Sequence, residues 1–139
     1  LSKINFPVVI SGKNPGIKIT DEVSLHANIR LVENPSEEEM NQLQRDAHIH
    51  VCYTFQNSGL KLKLLNALFK GRFVVANPLM TEGSGLETHV ETGNTDAEIR
   101  QIIEDMINRE FTAEHADKRT NLLKLYDNKL NAKKIEGLL

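Results

Sequence analysis

Residues 58–76 read SGLKLKLLNALFKGRFVVA. Leu60, Leu64, Ala67 and Leu68 recur at helical spacing, which predicts a helix over Gly59–Lys70 with one apolar face. Gly71 is its natural C-terminal stop. From Arg72 to Ala76 the pattern changes: Phe73 to Ala76 is apolar at every position, the mark of a strand covered on both faces. An amphipathic helix feeding an all-apolar strand is the repeating unit of a parallel α/β sheet.

The same unit recurs on both sides. Toward the N-terminus, His48 to Tyr53 reads as a strand. Before it, Ser36 and Glu39 stand at capping-box spacing ahead of Met40, Leu43 and Ala47, so a helix runs to about Ala47. Asn28 to Val32 is another short apolar run. Residues 5–10, NFPVVI, are a buried strand ended by the loop Ser-Gly-Lys-Asn-Pro-Gly. Toward the C-terminus, Asn77-Pro78 closes the strand, a glycine-rich loop runs through Gly85, and a weak strand lies near His89–Thr92. Thr95 can cap a helix with Ile99, Ile102, Ile103 and Met106 as its buried stripe. Thr112 can cap a long terminal helix with Leu122, Leu123, Tyr126 and Leu130. The expected fold is therefore α/β, a doubly wound, Rossmann-like parallel sheet in one domain spanning 1–139.

Composition bounds the function. The 139 residues hold one core. A hydrophobic fraction of 40% with 26% charged residues is that of an ordinary globular chain. A formal charge of −2 argues against a general nucleic-acid binder. No apolar run is long enough to span a bilayer, and the first residues do not look like a signal peptide. The single Cys52 excludes an internal disulfide and makes a reducing, cytoplasmic setting the default.

Charge is distributed unevenly. Between Asp46 and Glu82 there is no acidic residue, yet Lys61, Lys63, Lys70 and Arg72 fall in that stretch. Lys70 and Arg72 sit where a helix C-terminus favours cations. Lys61 and Lys63 sit at the opposite end, where a cation costs about 0.3–1 kcal/mol against the dipole. No carboxylate three or four residues away offsets that cost. The loop Gln56-Asn57-Ser58-Gly59 adds a hydroxyl and a glycine that lets a ligand approach the backbone. Free N–H groups, the positive dipole end and two lysines make an anion site suited to a diphosphate. The site also lies at the C-terminal end of a strand, where open α/β sheets bind ligands. A solvated lysine pair is the plain alternative.

Ser58 to Leu68, with Gly71 to Ala76, resembles the C-terminal domain of family-four retaining glycosyltransferases of the GT-B fold. That domain carries a glycine loop, a helix of the form LLEA, a glycine and a strand of the form PVVA. Val8–Pro15 (VVISGKNP), Asn28–Ser36 (NIRLVENPS) and Ala47–Val51 (AHIHV) support the likeness, which covers about residues 5–110. The resemblance implies a half-enzyme that binds a nucleotide-diphosphate sugar through Ser58, Gly59, Leu60, Lys61, Lys63 and Asn66. It implies retaining transfer of a hexose to a glycan acceptor, catalytic groups mostly outside this chain, and neither metal nor cofactor. A second, N-terminal domain would hold the acceptor, and residues 112–139 would pack against it. The family also has a first strand and helix of this same domain ahead of the position of Leu1, so the chain reads as a fragment.

The family carries two glutamates eight residues apart at this helix start, and here those positions are Ser58 and Asn66. Losing a charged acceptor weakens such a contact by about 1–2 kcal/mol. The same departures fit a second reading, a non-catalytic α/β module used for folding or assembly. A phosphate-accepting signalling domain would need acidic strand ends, which the acid-free stretch denies it.

Other constellations read more plainly. His48, His50 and Cys52 alternate, which puts all three on one strand face, a zinc-like set set aside because such strands are covered. Cys52 as a nucleophile lacks an identifiable base beyond these histidines. The loop Thr81–Gly85 could close over a donor or serve as a flexible connector. The terminal helix carries Lys118, Arg119, Lys124, Lys129, Lys133 and Lys134, which suits peripheral contact with an anionic membrane. Glu114, Asp117, Asp127 and Glu136 dilute that charge and favour a solvated face.

Overall fold

The computed structural model describes residues 4–56 and 61–137. Strands and helices alternate along the chain. β1 (Val8–Gly12), α1 (Ile17–Ser24), β2 (Ile29–Glu33), α2 (Glu37–Asp46) and β3 (Ile49–Cys52) form the first half. The second half contains α3 (Leu62–Lys70), β4 (Phe73–Ala76), the short α4 (Pro78–Thr81), β5 (Glu91–Thr92), α5 (Asp96–Met106), α6 (Ala113–Leu123) and α7 (Asn128–Glu136). Every strand pairing is parallel, as the α/β reading requires. The strands form two small sheets, β1–β2 and β3–β4–β5, and among the described residues no ladder joins them.

β4 is the strand around which the core is built. All four of its residues are buried, and its two faces serve two clusters. Val74 and Ala76 pack with Cys52, Leu64, Ala67, Leu68, Met80, Leu86, Leu122 and Leu123. Phe73 and Val75 pack with Ile4, Ile99, Ile103 and Met106 of the α5 side. The apolar stripe of α3 and the stripe of α5 thus cover opposite faces, which is why β4 has no polar position. Gly71 lets α3 turn into β4 at close quarters. A Cβ there would collide with the His50 ring and the Ala67 carbonyl.

Caps stand where the side chains predict them. Ser36 Oγ accepts from the Glu39 N–H at 3.2 Å, and the Glu39 carboxylate accepts from the Ser36 N–H at 2.8 Å. Thr95 Oγ1 accepts from the Glu98 N–H at 3.2 Å. The Thr112 N–H donates to His115 Nδ1 at 3.2 Å.

Several expectations change. The strand read as buried over 5–10 starts at Val8, and none of its residues is buried; Val9 is 45% exposed. Ile17–Ser24, to which the sequence assigns no element, is a helix. Its opening Ile-Lys-Ile-Thr alternates with period two and carries β-branched residues, so it does not display the helical period. The helix expected from Gly59 begins at Leu62, with Lys61 as its flanking residue. The loop after Asn77 contains α4, started by Pro78 at a position where proline is well tolerated. The expected long terminal helix is broken: α6 ends at Leu123, a 3-10 turn spans Lys124–Tyr126, and α7 follows. Leu122 and Leu123 belong to the main core, while the side chain of Leu130 lies outside the described set. Among the described residues, no helix is long and apolar enough to cross a membrane.

Candidate functional site

Within each sheet the parallel strands direct their C-terminal ends to one edge, and the helix that follows each strand starts there. The helix starts on this edge differ in chemistry. α2 opens with the Ser36 capping box and Glu37, Glu38 and Glu39 in its first turn. α5 opens with the Thr95 cap and Asp96 and Glu98. α3, which follows β3, has neither a side-chain cap nor an acid in its first turn. Among the described residues, no side chain of the protein supplies an anion to its first-turn N–H groups and positive dipole end. α1, which follows β1, is bare in the same way.

Of the sequence-selected residues, Ser58, Gly59 and Leu60 lie outside the described residues. Lys61 is half-buried and flanks α3, where its carbonyl accepts from the Leu65 N–H at 3.0 Å. Lys63 is exposed, and its ammonium donates to the Tyr53 carbonyl at 2.6 Å. That bond ties the start of α3 to the end of β3 and leaves the ammonium two further donors. Asn66 is exposed one turn farther along. It lines a cavity of about 330 Å3 with Gly12 and Lys13 after β1, Ser36 at the start of α2, and Gln44. The structure thus brings Asn66 into a cleft between the β1 turn and the α2–α3 pair. Gln44 Oε1 itself is buried away from the cleft surface and has no hydrogen-bond partner among the described residues. The turns at its mouth are linked, since the Asn14 N–H donates to Asn34 Oδ1 at 2.9 Å. Both asparagines have positive φ, 47° and 48°, a region this residue type tolerates.

One edge residue was legible in the sequence only as a strand stop. Asn77 is 4% exposed; its Nδ2 donates to the Thr54 carbonyl at 2.8 Å, and its Oδ1 accepts from the Thr54 N–H at 3.1 Å. It continues the β3–β4 pairing by one step with a side-chain amide in place of backbone. The chain leading from β3 toward α3 is positioned this way. A polar residue ending an apolar strand is the available signal, but its partner is distant in sequence.

The alternating trio does not share a face. His48 precedes β3, and its Nε2 lies 3.2 Å from the Met106 carbonyl with its ring edge-on to Phe73. His50 reaches the Gln44 carbonyl at 2.9 Å on the α3 side. Alternation holds only within a paired strand, and His48 is outside it. No group of three metal-ligating side chains forms among the described residues. Cys52 is 3% exposed, and burial pushes its thiol up to about 11 against a smaller opposing pull from Lys63. It stays a protonated thiol at neutral pH. The loop Thr81–Gly85 is anchored: Thr81 is buried, the Ser84 carbonyl accepts from the Tyr126 hydroxyl at 2.7 Å, and Gly83 and Gly85 take φ of 67° and 72°.

Compared with family models, with curated proteins and with solved structures, the chain finds no match.

Proposed function

We propose that this chain is the donor-binding half of a retaining glycosyltransferase, holding the diphosphate of a nucleotide sugar at the start of α3. The observation that carries the reading is that helix start: without a side-chain cap among the described residues, acid-free, flanked by Lys61 and Lys63, and set at the C-terminal edge of parallel strands. The resemblance around 58–76 supplies the substrate class. Asn66 opens on the cleft between the β1 turn and the start of α2, where its amide would meet a ribose or sugar hydroxyl. In this reading the helix start and Lys63 stabilise the leaving diphosphate, and no metal takes part. The glycan acceptor and the remaining catalytic groups belong to a second Rossmann-like domain, with α7 among the elements that meet it. A cytoplasmic setting accords with the free thiol of Cys52.

Half a cleft and an amide at Asn66 put the expected affinity in the high micromolar to millimolar range, about −4 to −6 kcal/mol. Titration of uridine, guanosine and thymidine diphosphates, followed by amide NMR, tests the site. Expected are shifts centred on Lys61–Leu65, lost in a Lys61→Ala, Lys63→Ala double variant. A folded domain whose amides there do not move at several millimolar ligand would sink donor binding by this chain. The reading as a non-catalytic α/β module, favoured by Ser58 and Asn66 in place of the family's glutamates, would then stand. Asn66→Glu separates the two further: it tightens binding at a blunted donor site and changes nothing on a bare helix.

A further inference from the structure

Away from the C-terminal edge, at the start of β4, a second cavity of about 230 Å3 lies between the end of α5, the approach to β5, and α6. Its lining brings three cations, Arg109, Lys118 and Arg119, against a single carboxylate, Glu91. Arg109 stands 3.5 Å from Glu91, and Lys118 is paired outward with Glu114 at 2.7 Å. Arg119 is different. It is half-buried, and no carboxylate lies within ion-pair distance of it among the described residues. Burial pulls its pKa down, with no neighbouring carboxylate holding it up. A desolvated cation without a counter-ion is costly, and an oxyanion would remove that cost.

The guanidinium groups are also held in place. Arg119 stacks over the Phe111 ring at 4.9 Å and donates through Nη1 to the Gly71 carbonyl. Arg109 lies over Phe73 at 5.7 Å. A guanidinium carries five N–H donors, so the one bond from Arg119 to Gly71 leaves others for the fork that matches a phosphate. His115, also on the wall, accepts at Nδ1 from the Thr112 N–H, so the neutral ring carries its proton on Nε2 as a further donor. The volume is below that of an ordinary drug-sized site, about 300–1,000 Å3, and fits a small anion.

We propose that this cavity binds a small phosphate-type oxyanion, with Arg119 as principal partner and Arg109 and Lys118 closing around it. The ligand is a free inorganic anion or the phosphoryl end of a small phosphomonoester, and two probes distinguish them. Inorganic pyrophosphate and glycerol phosphate are titrated separately into the isotope-labelled full chain at constant ionic strength, with chloride as the compensating anion. Amide shifts centred on Arg109–Arg119 are expected for at least one probe, and the tighter probe identifies the source. These shifts are distinct from any at Lys61–Leu65. Arg119→Met should abolish them. Because Arg119 also holds the Gly71 carbonyl, the exposed pair Arg109→Ala, Lys118→Ala provides a second variant that keeps that bond and should weaken binding about tenfold. The proposal is overturned if neither probe moves these amides at several millimolar. It is equally overturned if the shifts persist at undiminished affinity in the Arg109→Ala, Lys118→Ala variant.

Discussion

His50 shows how a single position in β3 gains a property its sequence neighbours do not dictate. Burial against α3 and Gly71 lowers its pKa; the Gln44 carbonyl opposes this, and the charge of Arg119 adds to it. In the unfolded chain the imidazole titrates near its ordinary value of 6.5. The folded pKa is lower, so as pH falls through 6.5 the unfolded state takes up the proton first. Stability is therefore fully present above that value and is lost on acidification. The urea midpoint should fall over about pH 7 to 5, and His50→Gln, which keeps an amide near Gln44, should flatten that fall. Equal pH slopes in the two proteins would show that His50 is not the group responsible. A histidine two residues from another histidine is visible in the sequence; that only one of them sits between a helix and a glycine is not.

At the scale of elements, Asn77 ties the loop after β3 to the end of β4 through both atoms of its amide. Asn77→Ala leaves the Thr54 N–H and carbonyl without these partners, and the expected loss of stability is about 1–3 kcal/mol. Asn77→Asp keeps an acceptor for the N–H but sets a carboxylate oxygen against the Thr54 carbonyl, so it should be no better than alanine. Chemical denaturation of the three proteins checks this, and a wild-type midpoint for the aspartate variant would contradict it. Most elements were legible because their signals are local. Ser36 with Glu39, Thr95 with Glu98, and the Leu64–Ala67–Leu68 stripe each act within one or two helical turns. α1 was not, because Ile17 and Ile19 alternate like a strand and are 71% and 47% exposed, so no buried stripe marks the helix. The break between α6 and α7 was missed for a different reason. Tyr126 leaves the helical path to reach the Ser84 carbonyl, a contact set by chain distant in sequence.

Across the whole molecule, burial is lopsided. Among the described residues, Ile4 aside, the buried apolar residues all lie from Cys52 onward, and β1, α1, β2 and α2 contribute none. Polar ties join this first region to the rest: Lys70 to Asn41 of α2 at 2.6 Å and Arg72 to the Asp46 carbonyl at the end of α2 at 3.2 Å, while Asn28, just before β2, donates to the carbonyl of the buried Ile4 at 2.8 Å. Few buried apolar contacts mean a low free energy of local opening. Hydrogen exchange should therefore run faster over residues 8–46 than over α3, β4 and α5, and proteolysis should nick the first region before the second. Matched protection across both regions would mean that the two sheets open as one cooperative unit.

Local chemistry sufficed for the α/β class, the parallel pairing, the caps and the bare start of α3, since each depends on side chains a few residues apart. The division of the strands into two sheets depended on long-range packing, as did the anchoring of Thr81–Gly85, the separation of His48 from His50, and the Asn77 bridge. The cationic cavity around Arg119 belongs to the same class. It is built from β4, the approach to β5, the end of α5 and α6, and no spacing along the chain announces it. Burial and partner choice are properties of the assembled neighbourhood, so the charge of Arg119 becomes costly only once α6 has closed against Gly71 and Phe111.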